Sequence, residues 1–168
     1  DQKKVYLLFS AHDLADGFIS VLNTLKRFNI KGNFFFTGDF MRNEAFNKIV
    51  KRTIDEGHYV GSHSDKHLLY ADWKKRDSLL VTKDSFLVDI KQSIKELTAA
   101  GAATGKWYLP PYEWYNKEVV QWSRELGLTV INFSPGTGTN ADYTWPQLKN
   151  YRTSESVIKQ LFDLEKSR

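Results

Sequence analysis

The sequence predicts an α/β fold with a parallel sheet and helices outside it. Three features carry this: short apolar runs of strand type, amphipathic stripes at helical spacing between them, and glycines at the changeovers. Val5–Phe9 is the first strand. Ile19, Leu22, Leu25 and Phe28 then recur at helical spacing, and Gly32 breaks the pattern. Phe34–Gly38 is the second strand, and its Phe34 to Phe36 are apolar throughout as a strand buried on both faces should be. A helix over Ala45–Glu56 carries Phe46, Ile49, Val50 and Ile54 on one face, and Gly57 stops it. Tyr59–Gly61 is a third, very short strand. Thr82 precedes a helix over Lys83–Ala99 with a stripe of Phe86, Ile90, Ile94 and Leu97; Gly101 and Gly105 follow. Trp107–Leu109 is the fourth strand, ended by Pro110-Pro111. Asn116 caps a helix to Leu126, Gly127 ends it, and Thr129–Phe133 is the fifth strand. A Gly-, Thr- and Asn-rich loop runs over Ser134–Tyr151. Ser154 caps a last helix through Val157, Ile158, Leu161 and Leu164.

The length, 168 residues, is that of one domain, 1–168. With 41% hydrophobic and 26% charged residues the chain is a folded globular protein rather than a disordered, collagenous or coiled-coil one. There is no apolar run of 18 residues, hence no transmembrane helix is expected. The polar start Asp1-Gln2-Lys3-Lys4 is no signal peptide, which fits a cytoplasmic protein or a mature domain cut from a longer precursor. Cysteine is absent, excluding disulfides and thiolate metal sites. The net charge of +4 is scattered among acids, so nucleic acid is not an expected partner.

Residues able to do chemistry gather after the strands, where the sites of parallel α/β folds lie. His63 and His67, four apart in Gly61-Ser62-His63-Ser64-Asp65-Lys66-His67, would share one face of a helical turn and suit two ligands of one divalent cation. The segment after the first strand holds His12, Asp13 and Asp16. Asp16 could instead cap the following helix. Asp13 has no such duty and is the better third ligand, although the choice among the three stays open. Pro110-Pro111-Tyr112-Glu113-Trp114-Tyr115 follows the fourth strand, and six of the sixteen residues from Trp107 to Trp122 are aromatic, against 14% in the whole chain. Aromatic rings there suit a cleft for sugars. His58 falls at the opposite end of the strands and reads as structural.

Together these residues resemble the polysaccharide deacetylase family, the carbohydrate esterases of family 4 that share the NodB homology domain. Lys31-Gly32-Asn33-Phe34-Phe35-Phe36-Thr37-Gly38 is similar to the family's K-A-T-F-F-V-T-G. Glu56-Gly57-His58-Tyr59-Val60-Gly61-Ser62-His63-Ser64 is similar to its E-G-H-x-x-G-N-H-T, and His67 completes H-[ST]-x-x-H. Pro110-Pro111-Tyr112 is similar to R-x-P-Y, with Leu109 in place of the arginine. The likeness covers about Lys4 to Phe133.

The resemblance implies a distorted, incomplete (β/α) barrel, cut short at the C-terminal end, with the family's last strand and helix and its late L-x-H motif falling beyond Arg168. It implies a hydrolase that removes acetyl groups from a polysaccharide or oligosaccharide, N- or O-linked. The cofactor would be a divalent metal ion, zinc first and cobalt or nickel next, on Asp13, His63 and His67. His12 or Asp16 would be the base, the backbone N–H of Tyr112 would hold the oxyanion, and Pro111, Trp114, Tyr115 and Trp145 would line the sugar cleft. The family's T-F-D-D-G is the main departure: aligned without gaps its two Asp positions fall on Ser10 and Ala11, whereas a shift of two or three residues brings His12 and Asp13 there and a larger one Asp16-Gly17. That leaves a second expectation, a catalytically impaired carbohydrate-binding relative acting as an accessory domain of, or fused to, a glycan-degrading enzyme such as a glycoside hydrolase. The expected location is secreted, periplasmic or cell-surface, with the cytoplasm left open.

Overall fold

A computed structural model describes residues 4–103, 105–141 and 144–167. Contacts divide the chain into two compact units, Asp1–Ile131 and Asn132–Arg168, each described by itself.

The first unit is an α/β layer structure around five parallel strands in the order β1-β2-β3-β4-β5. The strands are β1 (Leu8–Ala11), β2 (Asn33–Phe36), β3 (Tyr59–Ser62), β4 (Trp107–Tyr108) and β5 (Thr129–Val130). Between them run α1 (Phe18–Arg27), α2 (Gly38–Arg42), α3 (Asn47–Asp55), α4 (Lys83–Ala99) and α5 (Lys117–Glu125). The sheet is open, with β1 and β5 as its edges, so the barrel is incomplete.

Phe34, Phe35 and Phe36 are all but fully buried, which fixes β2 inside the sheet. One core joins Phe34, Phe36, Phe40, Leu22, Leu25, Val50 and Val60. A second joins Tyr70, Phe86, Ile90, Tyr108, Val119 and Trp122. Thr82 and Asn116 cap α4 and α5, their side-chain oxygens accepting from the N–H groups of Ser85 and Val119.

Several boundaries differ from the sequence reading. β1 starts at Leu8, and Val5 and Tyr6 are 80% and 71% exposed. As an edge strand it has one neighbour, and its four residues pair with the four of β2. The α1 stripe begins at Phe18, so Phe18, Val21, Leu22 and Leu25 face the core while Ile19 and Phe28 are exposed. β2 ends at Phe36. Thr37 instead caps the short α2, its hydroxyl accepting from Phe40 N–H. β5 ends at Val130.

In the second unit a 3-10 turn over Thr139–Ala141 interrupts the expected loop. There α6 spans Ser154–Lys166 with Thr153, rather than Ser154, as its cap. No helix among the described residues is long and apolar enough to cross a membrane.

Candidate active site at the carboxyl ends of the strands

Parallel register aligns the strand ends. Ala11 pairs with Phe36, Phe36 with Ser62, and Ser62 with Tyr108. The next row out is therefore His12, Thr37, His63 and Leu109, the last three joined to the preceding strand by their backbone N–H groups. Thr37 N–H donates to Ala11 O, His63 N–H to Phe36 O and Leu109 N–H to Ser62 O. Strand ends thus deliver His12 and His63 to one edge of the sheet.

His63 is buried, and its Nδ1 lies 2.7 Å from Leu109 O. A carbonyl only accepts, so Nδ1 carries the proton and Nε2 keeps its lone pair. That lone pair faces His67, whose Nε2 is 3.2 Å away. The loop between them is not helical: Ser64 and His67 have φ of 75° and 54°, left-handed values uncommon for residues with side chains. Shared helix-face geometry is therefore replaced by a bent loop, and the two rings converge nonetheless. Burial, helped by the neighbouring imidazoles His67 and His12, pushes His63 down to about 3. Burial and His12 push His67 down to about 4, against the pull of Asp13. Both rings are neutral at neutral pH, the form in which imidazole binds a metal.

Side chains of α4 hold this loop. Asp89, 5% exposed, accepts from the N–H groups of Asp65 (3.1 Å) and Lys66 (2.9 Å) and from Tyr70 Oη (2.7 Å). Ser93 Oγ pairs with Ser62 Oγ at 2.8 Å; Ser62 Oγ in turn accepts from Ser64 N–H, and Ser64 Oγ accepts from His67 N–H. From the other side, α2 donates Gly38 N–H to Ser64 O and Asp39 N–H to Asp65 O. Gly38 is required there, because a Cβ would sit 1.8 Å from Asp65 Oδ1.

Two ligands 2.0–2.1 Å from a tetrahedral zinc stand about 3.3 Å apart, so the His63–His67 pair fits two positions of a shell. Among the described residues no third His, Asp or Glu joins them to complete one. Asp13 is exposed in the loop after β1 and acts on His67 only through its charge. His12 comes closest: its ring stacks on that of His67 with centroids 4.6 Å apart and planes 10° apart, and its Nδ1 lies 3.3 Å from Thr37 Oγ1. Asp16 is exposed at the turn before α1. It does not cap that helix; Gly17, in the left-handed region, holds the cap position.

The segment after β4 supplies one wall. Pro111 is buried, and the chain reverses through positive φ at Tyr112 (58°) and Glu113 (51°), which sets the Tyr112 ring 4.4 Å from that of His67. A second loop, 72–78, is stapled to it: Trp114 Nε1 donates to Asp72 O, Arg76 Nε to Tyr115 O and Asn116 Nδ2 to Arg76 O. The Arg76 guanidinium also lies 4.2 Å over the Trp114 ring. These staples bring Trp73, 54% exposed, to 5.6 Å from Tyr112 and 5.4 Å from Trp114. Tyr115 is half-buried beneath Arg76. Trp145 is exposed in the second unit.

Sequence reasoning missed Trp73 and Asp89. Nothing local marks Trp73, since its staples span some 40 residues of chain. Asp89 and Ser93 did leave a signal: they are polar residues lying within the apolar stripe of α4. His58, by contrast, is placed as expected. It lies at the start of β3, buried against Phe34, its Nδ1 accepting from Gly32 N–H at 3.1 Å.

The sequence model of one family, polysaccharide deacetylase, matches residues 1–131, the span of the first unit. A peptidoglycan-N-acetylglucosamine deacetylase of Listeria monocytogenes is 34% identical over 139 residues, covering 80% of this chain and 26% of its own. A family 4 carbohydrate esterase of Bacillus subtilis superposes with a TM-score of 0.62 at 25% identity, covering 74% of this chain and 50% of its own. A family 4 pseudoenzyme of Bacillus anthracis reaches a TM-score of 0.72 at 18% identity, over 94% of this chain and 50% of its own. The chain thus spans a quarter to a half of the length of these relatives.

Proposed function

Because the chain belongs to the polysaccharide deacetylase family, we propose that it removes acetyl groups from an acetylated glycan. The observation that carries this reading is the facing pair of neutral imidazole nitrogens, His63 Nε2 and His67 Nε2, 3.2 Å apart at the strand ends. His63 and His67 would hold a divalent cation, zinc before cobalt or nickel, with Asp13 as the third candidate ligand. Such an ion supplies Lewis-acid chemistry: it polarises the acetyl carbonyl and makes water acidic enough to ionise near neutral pH.

His12, stacked on His67, takes the proton of the attacking water; its position favours it over the exposed Asp16. The Tyr112 backbone N–H, on the turn whose ring touches His67, donates to the developing oxyanion. Pro111 fixes the turn, and Trp114 and Tyr115, with Trp73 added, form an aromatic wall on which the apolar faces of sugar rings stack. A cell-wall or similar glycan, acted on at or beyond the cell surface, is the substrate class most in keeping with the Listeria relative.

The test is acetate release from N-acetylated chitooligosaccharides, acetylated xylan and peptidoglycan fragments, with Zn²⁺, Co²⁺ or Ni²⁺ added. Release from any of them, lost in His67→Ala, supports the reading. No release from any, together with metal binding unchanged in His63→Ala, contradicts it.

One observation favours a second reading. Matched to the family without gaps, its two Asp positions fall on Ser10 and Ala11, the last residues of β1, and neither side chain can serve as base or ligand. A binding relative acting as an accessory domain of a glycan-degrading enzyme would take up oligosaccharide without releasing acetate.

A further inference from the structure

We infer that Asp89 is a positioning residue that sets the convergence of His63 and His67. This rests on the reading of those two residues as metal ligands. A carboxylate buried in the apolar stripe of a helix is costly unless its oxygens are satisfied. Asp89 meets that need with three donors, and two of them are consecutive backbone N–H groups, Asp65 and Lys66, in the middle of the His63–His67 loop. The third is Tyr70 Oη, on the chain just past His67.

The loop does not hold its shape by local preference. Ser64 and His67 both sit at positive φ, a conformation that persists only where surrounding contacts impose it. Asp89 and Ser93, one turn apart on α4, impose it from beneath. Ser93 works through Ser62 and Ser64 on the His67 N–H, while Asp89 fixes two of the four peptide groups between the histidines. The side chain of Asp65 cannot substitute, because it points the other way, to Arg42 at 2.6 Å. With Asp89 altered, the loop relaxes toward ordinary φ and the two Nε2 atoms part. Asparagine does not replace the carboxylate: it has one acceptor oxygen, and its amide would set N–H against N–H.

The experiment compares the unaltered protein, Asp89→Asn and Tyr70→Phe. Each is titrated with Co²⁺ and Zn²⁺, and the contact between the His63 and His67 rings is followed by NMR in the metal-free state. Circular dichroism checks folding. The expected result for Asp89→Asn is metal affinity at least tenfold weaker, a changed Co²⁺ spectrum and loss of the ring contact. Tyr70→Phe, which removes one of the three bonds, should lose two- to fivefold. Unchanged affinity and ring contact in a folded Asp89→Asn overturn the inference; where that variant does not fold, the same result in Tyr70→Phe overturns it. If the unaltered protein binds neither ion, the metal reading falls, and the ring contact alone still decides the role of Asp89.

Discussion

His58 and His63 sit at opposite ends of β3, and both are buried. The backbone gives them opposite proton patterns. At the start of the strand Gly32 N–H donates to His58 Nδ1, so the proton of His58 resides on Nε2, which lies 3.7 Å from Glu56 Oε2, too far for a hydrogen bond. At the end of the strand Leu109 O accepts from His63 Nδ1, so Nε2 presents a lone pair to His67. The same side chain is a core filler where the chain offers it an N–H and a metal-ligand candidate where the chain offers it a carbonyl. Parallel strands expose N–H groups at one end and carbonyls at the other, so the end of the sheet decides what a buried histidine can do.

The largest expected effect that separates the two ends is on the chemistry. His67→Ala should weaken Zn²⁺ binding by more than about 100-fold, beyond the roughly 10–100-fold expected for a residue that merely supports a ligand, and abolish acetate release while leaving the melting profile near that of the parent. His58→Ala should do the reverse. Deleting the ring leaves a cavity and an unpaired Gly32 N–H, a loss of about 2–4 kcal/mol in urea unfolding, with metal affinity of the folded fraction unchanged.

Acid should act on both ends with one sign. Burial lowers the affinity of His58 for protons as well, so His58, His63 (about 3) and His67 (about 4) all favour the neutral form when folded. Below about 6.5 the unfolded chain takes up protons that the folded one refuses. The metal-free protein should therefore lose stability steadily as pH falls from about 6.5 toward 3. Urea midpoints at several pH values check this, and a stability independent of pH over that window would contradict the burial of these rings.

Trp73→Ala should weaken chitooligosaccharide binding about tenfold, the scale of one lost aromatic contact of ~1.4 kcal/mol. Metal affinity and turnover of a small activated acetyl ester should not change, and fluorescence titration with both assays in parallel reads the difference. Smallest, Thr82→Ala removes the cap of α4 and should cost about 1 kcal/mol in the same urea series, a baseline for a change that touches neither end of β3.

The parts of the fold legible in the sequence were those decided locally. The cap at Asn116, the stop at Gly57 and the buried Phe34–Phe36 core all follow from short-range chemistry. The histidine pair was legible because spacing alone brings such residues near. Its geometry was not, since positive φ at Ser64 and His67 depends on Asp89 and Ser93 from a helix some 25 residues on. The extent of β1 was hidden because an edge strand ends where its partner ends, whatever its own hydrophobicity. Trp73 was hidden because its neighbours come from the loop after β4. Their place after the first strand marked His12, Asp13 and Asp16 as candidates, and of these the structure draws His12 onto His67 while leaving Asp13 and Asp16 exposed.

The central claim is that His63 and His67 share one cation through their facing Nε2 atoms. Isothermal titration of the metal-free protein with Zn²⁺ tests it most directly, in the parent, His58→Ala, His63→Ala and His67→Ala. The account predicts one ion per chain in the parent and in His58→Ala, and none in the other two. Undiminished binding in His63→Ala or His67→Ala would contradict it.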